Sequence, residues 1–184
     1  MSISLRDNRI RRISLDAMLC GFAILLSYLE AVLPLQLLVP LPGFRLGLAN
    51  IAVVAVFCLI SPKDAAIVSA VRIFIMGILF GSPTSLYFSV MGGVFSFVTL
   101  MLMHRFCKKC SLIGVSVLCA AAHNTGQVLA AVTLFDVALL TSYLPALLIA
   151  SVLYGSVVGA LLNLLIPKLQ AVCGKILGYK EERI

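Results

Sequence analysis

LPALLIASVLYGSVVGALLNLLI, residues 144–166, contains no charged side chain. A helix needs about 20 mainly apolar residues to cross the hydrocarbon core of a bilayer, so this stretch predicts a membrane-spanning helix. The rest of the chain has the same character, being 62% hydrophobic and 11% charged with a mean hydropathy of +1.15. Soluble domains are about 45–50% apolar and about 25% charged.

Five further apolar windows precede this stretch, and all six predict one all-α bundle of transmembrane helices. The second and third windows are short and are joined by a turn at Ser61-Pro62-Lys63, so they could also form one interrupted hairpin. The membrane domain is expected at residues 13–168, between a basic N-terminal tail (1–12) and a C-terminal tail (169–184). The five windows are 13–33, 46–60, 64–80, 85–103 and 112–135.

The basic residues predict the orientation of the bundle. Twelve of the fourteen Lys and Arg residues lie in the two tails or in the second and fourth connections, and basic residues near span ends stay cytoplasmic. Both termini are therefore expected in the cytoplasm, in a multi-pass membrane protein. The net charge of +7 then reflects membrane topology and contact with anionic lipid headgroups, not nucleic-acid binding.

Several polar residues fall within the middle and outer parts of the predicted spans. Such residues are costly in lipid and usually face a bundle interior or a cavity. They predict a binding site for a small ligand that opens away from the cytoplasm. The expected lining residues are Arg45, Asn50, Arg72, His123, Asn124 and Gln127, with Glu30 as charge partner.

Three questions about this site stay open at the level of sequence. His123, Asn124 and Gln127 are three or four residues apart, so we expect them to share a helical face that either contacts ligand or forms an interhelical hydrogen-bond network. Arg72 either pairs with Glu30 or offers its guanidinium fork to an anionic or imide-like ligand. The proline-broken connection 34–45 is either a lid over the site or a loop resting in the headgroup region.

Small residues at four-residue spacing predict close helix packing. Ser151, Gly155, Gly159 and Asn163 form such a stripe, and the fourth window contains Ser89, Gly92, Gly93 and Ser96. Ala17 and Gly21 in the first window could pack within the bundle or dock another membrane protein.

No enzyme activity, cofactor or metal site is expected. The aspartates Asp7, Asp16, Asp64 and Asp136 are isolated and form no DDxxD segment, so the two-metal chemistry of prenyl diphosphate synthases has no aspartate cluster here. Cys107 and Cys110 form a lone CxxC pair in a cytoplasmic loop, which is weak evidence for a metal.

The run PGFRLGLAN at 42–50, the helix of Arg72, Gly92-Gly93 with Ser96, and HNTGQ at 123–127 resemble the Gx transporter family. This family is also labelled heptaprenyl diphosphate synthase component I. The resemblance covers about residues 13–168, and it departs from the family at position 45, where Lys is more frequent than Arg.

By this resemblance the chain is similar to the S components of energy-coupling-factor (ECF) transporters, which implies a location in the bacterial plasma membrane. These six-helix proteins capture a micronutrient from outside and work with a transmembrane coupling protein and two ATPases. Ala17-x-x-x-Gly21 is the nearest match to the surface by which S components contact the coupling protein. The alternative is a non-catalytic anchoring subunit of an isoprenoid, quinone or flavin-based extracellular electron-transfer system.

Overall fold

A computed structural model describes residues 2–32, 48–80, 82–107, 110–134 and 138–177. All regular structure in these ranges is α-helical, as predicted, and each predicted window contains one helix. Helical structure begins before the first predicted window and continues beyond the last. The helices are α1 Ser2–Val32, α2 Asn50–Leu59, α3 Pro62–Phe80, α4 Pro83–Phe106, α5 Leu112–Leu134 and α6 Ala138–Leu177.

Four helical segments are long and apolar enough to cross a bilayer, which supports a multi-pass membrane protein. They are Ile10–Val32, Pro83–Phe106, Leu112–Leu134 and Leu144–Gly174. Helix α3 has 19 residues and carries Lys63, Asp64 and Arg72. The full count of six spans and the cytoplasmic position of both termini stay predictions.

Helix α2 is only 10 residues long, or about 15 Å, which is about half the thickness of the hydrocarbon core. Every residue from Ile51 to Phe57 is buried, as expected for a helix that is apolar on all sides and enclosed by neighbours. Asn50, its first residue, is partly buried.

The turn between α2 and α3 is anchored by polar contacts. Asp64 lies in the first turn of α3, as predicted. The backbone N–H of Asp64 donates a hydrogen bond to Ser61 Oγ at 3.3 Å. Arg12 of α1 forms a salt bridge with the Asp64 carboxylate and donates to Ser61 Oγ at 3.0 Å. These contacts tie α1 to the turn.

Glycines bring α4, α5 and α6 into backbone contact. A β-carbon on Gly126 of α5 would lie 2.7 Å from the carbonyl oxygen of Met91 in α4, and one on Gly155 of α6 would lie 2.6 Å from Val117 Cα in α5. Because the neighbouring atoms belong to the backbone, no rotamer change could make room for a side chain.

The predicted stripe of small residues on α6 lies only partly within the α5–α6 contact. Ser151, Gly155 and Gly159 are buried, whereas Asn163 is exposed. In α1, Ala17 and Gly21 are exposed, and a β-carbon on Gly21 would meet no atom within 4 Å. Within the described residues, the α1 pair is thus not used to pack the bundle.

The contact between α3 and α4 is made differently. A β-carbon on Gly93 of α4 would meet the tip of the Ile73 side chain of α3 at 2.7 Å, and a flexible side chain can move. We refer to α1–α3 and α4–α6 as the two halves of the bundle. The α4–α6 half is held by backbone contacts.

Candidate functional site

Arg72 connects three helices in the α1–α3 half. Its side chain is buried, with 6% relative exposure. One terminal nitrogen donates to Ser27 Oγ of α1 at 3.4 Å, and the other donates to Asn50 Oδ1 at the start of α2 at 3.5 Å. The guanidinium therefore lies in the bundle interior.

A small cavity brings Arg72 together with Glu30 and His123 at the boundary between the two halves. Glu30 and His123 are each only 3% exposed, so a buried carboxylate and a buried guanidinium share one enclosed space. The cavity volume is about 10 Å³, which is space for about one water molecule. Its lining comprises Ser27, Glu30, Arg72, Ile73, Met76, Ser89 and His123.

His123 is held by α5 and by the glycine surface of α4. Its Nε2 lies 2.9 Å from Gln127 Nε2, one helical turn along α5. A β-carbon on Gly92 of α4 would lie 2.7 Å from His123 Cε1. The imidazole ring of His123 therefore occupies the space that a side chain at position 92 would need.

Asn124 lies against a different helix. Its side-chain nitrogen donates to Ser151 Oγ at 2.8 Å and to the Leu147 carbonyl at 3.2 Å, both in α6. Adjacent helical residues point about 100° apart, so Asn124 faces α6 while His123 faces the cavity. The structure therefore joins His123 with Gln127 and places Asn124 in the α5–α6 contact.

We expect Asn124→Ala to lower the free energy of unfolding by about 1 kcal/mol, the typical size of an interhelical hydrogen bond in a membrane protein. It should leave ligand binding unchanged, because the side chain is directed to α6. Unfolding in detergent, followed by circular dichroism, measures the loss. A large fall in ligand affinity at unchanged stability would contradict this structural role.

A second polar cavity lies beside Asn50, also between the two halves. Asn50 donates to Ser96 Oγ of α4 at 3.3 Å. Among the described residues, Ser116 Oγ and Tyr154 Oη are buried with no hydrogen-bond partner, and both line this cavity. Its volume is also about 10 Å³, and its lining comprises Asn50, Val54, Ser116, Cys119, Ala120, Tyr154 and Val158.

Several of these polar residues were not predicted as site residues. Ser27 precedes Glu30 by three residues, so their shared helical face was a usable signal. Tyr154 follows Ser151 by three residues, so the same signal was present there. Ser116 had no comparable signal, because the residues three and four positions away are Leu, Ile, Cys and Ala. Arg45 and the connection 34–45 lie outside the described residues, so their expected roles stay predictions.

These features define a polytopic α-helical membrane protein with a buried cluster of charged and amide side chains between two halves of its bundle. Residues 19–165 match the family model described as heptaprenyl diphosphate synthase component I. The chain belongs to this family, which confirms the family predicted from its motifs. No curated protein and no solved structure matches the chain.

Proposed function

We propose that this protein is the substrate-binding subunit of a micronutrient uptake transporter and captures a small polar or anionic ligand from the extracellular side. The observation that carries the proposal is the cavity shared by Glu30, Arg72 and His123. Ionisable residues inside a membrane bundle are costly to bury and commonly mark a substrate or ion pathway.

The chemistry of the cluster suits a ligand with planar polar groups. The Arg72 fork can hold a carboxylate, a phosphate or an imide edge, and the Gln127 amide offers both a donor and an acceptor. Glu30 supplies a compensating negative charge in the empty site. Asn50 at the start of α2, which accepts a hydrogen bond from Arg72, is a further proposed ligand contact. Arg45 is a ligand contact by prediction.

Ligand entry requires the cavity to enlarge, since its present volume accommodates about one water molecule. The α4–α6 half is packed backbone to backbone, whereas α3 of the other half meets Gly93 of α4 through the Ile73 side chain. We therefore propose that the α1–α3 half moves relative to the α4–α6 half. Residues 34–45 are the proposed lid.

The proposal requires partners. The sequence contains no P-loop motif for ATP binding, so a transmembrane coupling protein and ATPase subunits would supply energy. The exposed face of α1 that contains Ala17 and Gly21 is the proposed contact for the coupling protein. No catalytic residue is assigned.

We expect Gln127→Ala and Arg72→Lys to lower ligand affinity at least tenfold. The first removes the amide, and the second keeps the charge but loses the planar fork. Mass spectrometry of small molecules retained by the gently purified protein identifies the ligand, and equilibrium binding then gives the affinities.

Asn163→Ala is the matched control for Gln127→Ala, because Asn163 is an exposed amide on α6. It should bind like the parent protein. Parent-like affinity in both site variants, with membrane insertion intact, would show that ligand does not occupy this cavity.

A second candidate function rests on the family description, which names one component of a heptaprenyl diphosphate synthase and hints at a partner component. Here the protein would be a non-catalytic membrane anchor for a prenyl or redox enzyme. Purification from the native membrane distinguishes the two, because co-purified ATPase subunits support transport and a co-purified prenyl or redox enzyme supports anchoring.

A further inference from the structure

A separate apolar groove runs between α3 and α4 on the outer surface of the bundle. Its volume is about 290 Å³, and its walls include the side chains of Ala70, Phe74, Val94 and Val98. Phe74 and Val94 are 58% and 52% exposed, so the groove opens laterally toward lipid. Ile73 lines both the groove and the Arg72 cavity and separates the two.

The groove continues toward one membrane surface and ends among polar groups. Phe97 and Val98 line both the groove and a wider opening that contains His104 and Arg105 in the last turn of α4. The His104 ring packs edge-on against Phe57 at 5.2 Å, and both His104 and Arg105 are exposed. Lys63, also exposed, follows Pro62 at the rim of the same opening.

The length of this path corresponds to one leaflet of a bilayer. From Val90, at the inner end of the groove, to Arg105, α4 rises about 22 Å at 1.5 Å per residue. A bilayer with its headgroup regions is about 40–45 Å thick, so one leaflet is about half of that. A molecule that matches this path needs an apolar chain beside the groove and a negatively charged group near Arg105, at the membrane surface.

We propose that the α3–α4 groove binds an anionic phospholipid of the leaflet on the Arg105 side, which the charge distribution predicts to be cytoplasmic. One acyl chain lies between α3 and α4, and the phosphate-containing headgroup contacts Arg105. This site is independent of the proposed transport function, because it lies on the lipid-facing side of Ile73.

Native mass spectrometry of the delipidated full-length protein tests the proposal, with phosphatidylglycerol and phosphatidylcholine of identical acyl chains as probes. We expect preferential binding of phosphatidylglycerol. Arg105→Gln should reduce this preference about fivefold, since one surface cation contributes about 1 kcal/mol toward anionic lipid. Ala70→Phe should reduce binding of both lipids, because the ring fills the groove.

Two matched controls lie on α6, away from the groove. Lys168→Gln removes another exposed cation and should lower the preference for phosphatidylglycerol less than Arg105→Gln does, because Lys168 lies away from the groove. Ala160→Phe adds a ring at another exposed alanine and should bind like the parent protein. Equal binding of the two lipids, or no effect of either groove variant, would overturn the proposal. Tighter binding of a polyprenyl phosphate than of phosphatidylglycerol would overturn the choice of a phospholipid as occupant.

Discussion

Arg72→Gln is expected to lower the free energy of unfolding by about 3 kcal/mol, because it leaves the Glu30 carboxylate in a buried cavity without its opposite charge. Removing one member of a buried ion pair typically costs about 3–5 kcal/mol. Glu30→Gln should cost a similar amount, since both side chains line the same small cavity. Unfolding of the purified protein by SDS titration in mixed micelles measures each loss.

The double variant Glu30→Gln with Arg72→Gln makes the test specific. It should cost less than the two single losses together, by about 0.5–3 kcal/mol, because neither charge is then buried alone. Arg12→Ala is the control, since Arg12 is exposed where it pairs with Asp64 and ion pairs at a surface contribute about 1 kcal/mol or less. Additive losses would show that Arg72 and Glu30 do not stabilise each other.

This result also bears on how the cavity works. If the pair is strongly coupled, an anionic ligand must compete with Glu30 for Arg72, and binding would release Glu30 from the pair. If the losses are additive, Arg72 is available to ligand without that competition. The double-variant measurement therefore separates the two roles of Arg72 that the sequence left open.

Gly155→Ala and Gly21→Ala are expected to change stability in opposite directions, although both add one methyl group to a helix. A β-carbon at Gly155 would lie 2.6 Å from Val117 Cα, so α5 and α6 would have to separate. Overpacking of this kind typically costs about 1–3 kcal/mol. At Gly21 the same carbon meets no atom within 4 Å, and alanine favours a helix over glycine by up to about 1 kcal/mol.

The same unfolding measurement compares the two variants, with the parent protein as reference. We expect Gly155→Ala to unfold at lower denaturant and Gly21→Ala at equal or higher denaturant. A destabilised Gly21→Ala in isolated protein would mean that the α1 face packs within the chain and is not free for a partner. A neutral Gly155→Ala would show that the α5–α6 contact tolerates expansion.

The helical architecture was largely predictable from local features of the chain. Apolar stretches such as residues 144–166 can satisfy their backbone polar groups in lipid only as helices, so each predicted window contains one. Ser61-Pro62 ended one helix and began the next, with Asp64 in its first turn. Small residues such as Gly155 predicted close helix contact, because a small side chain allows a neighbouring helix to approach closely, whichever helix that is.

The sequence did not predict which helix each polar side chain contacts. Spacing along α5 shows which residues lie near the same face, but it does not show which helix covers that face. Only the packing of α6 directs Asn124 to Ser151, while Gly92 of α4 leaves room for His123 beside Gln127.

By itself, the sequence determined a helical membrane protein of a particular family, because hydropathy, charge and short motifs are local properties. The tertiary structure decided that Asn50, the first residue of α2, lies within hydrogen-bond distance of Arg72 in α3. It also decided that Glu30, Arg72 and His123 share one cavity. These three residues come from three different helices, and their meeting depends on distances between helices that no local pattern encodes.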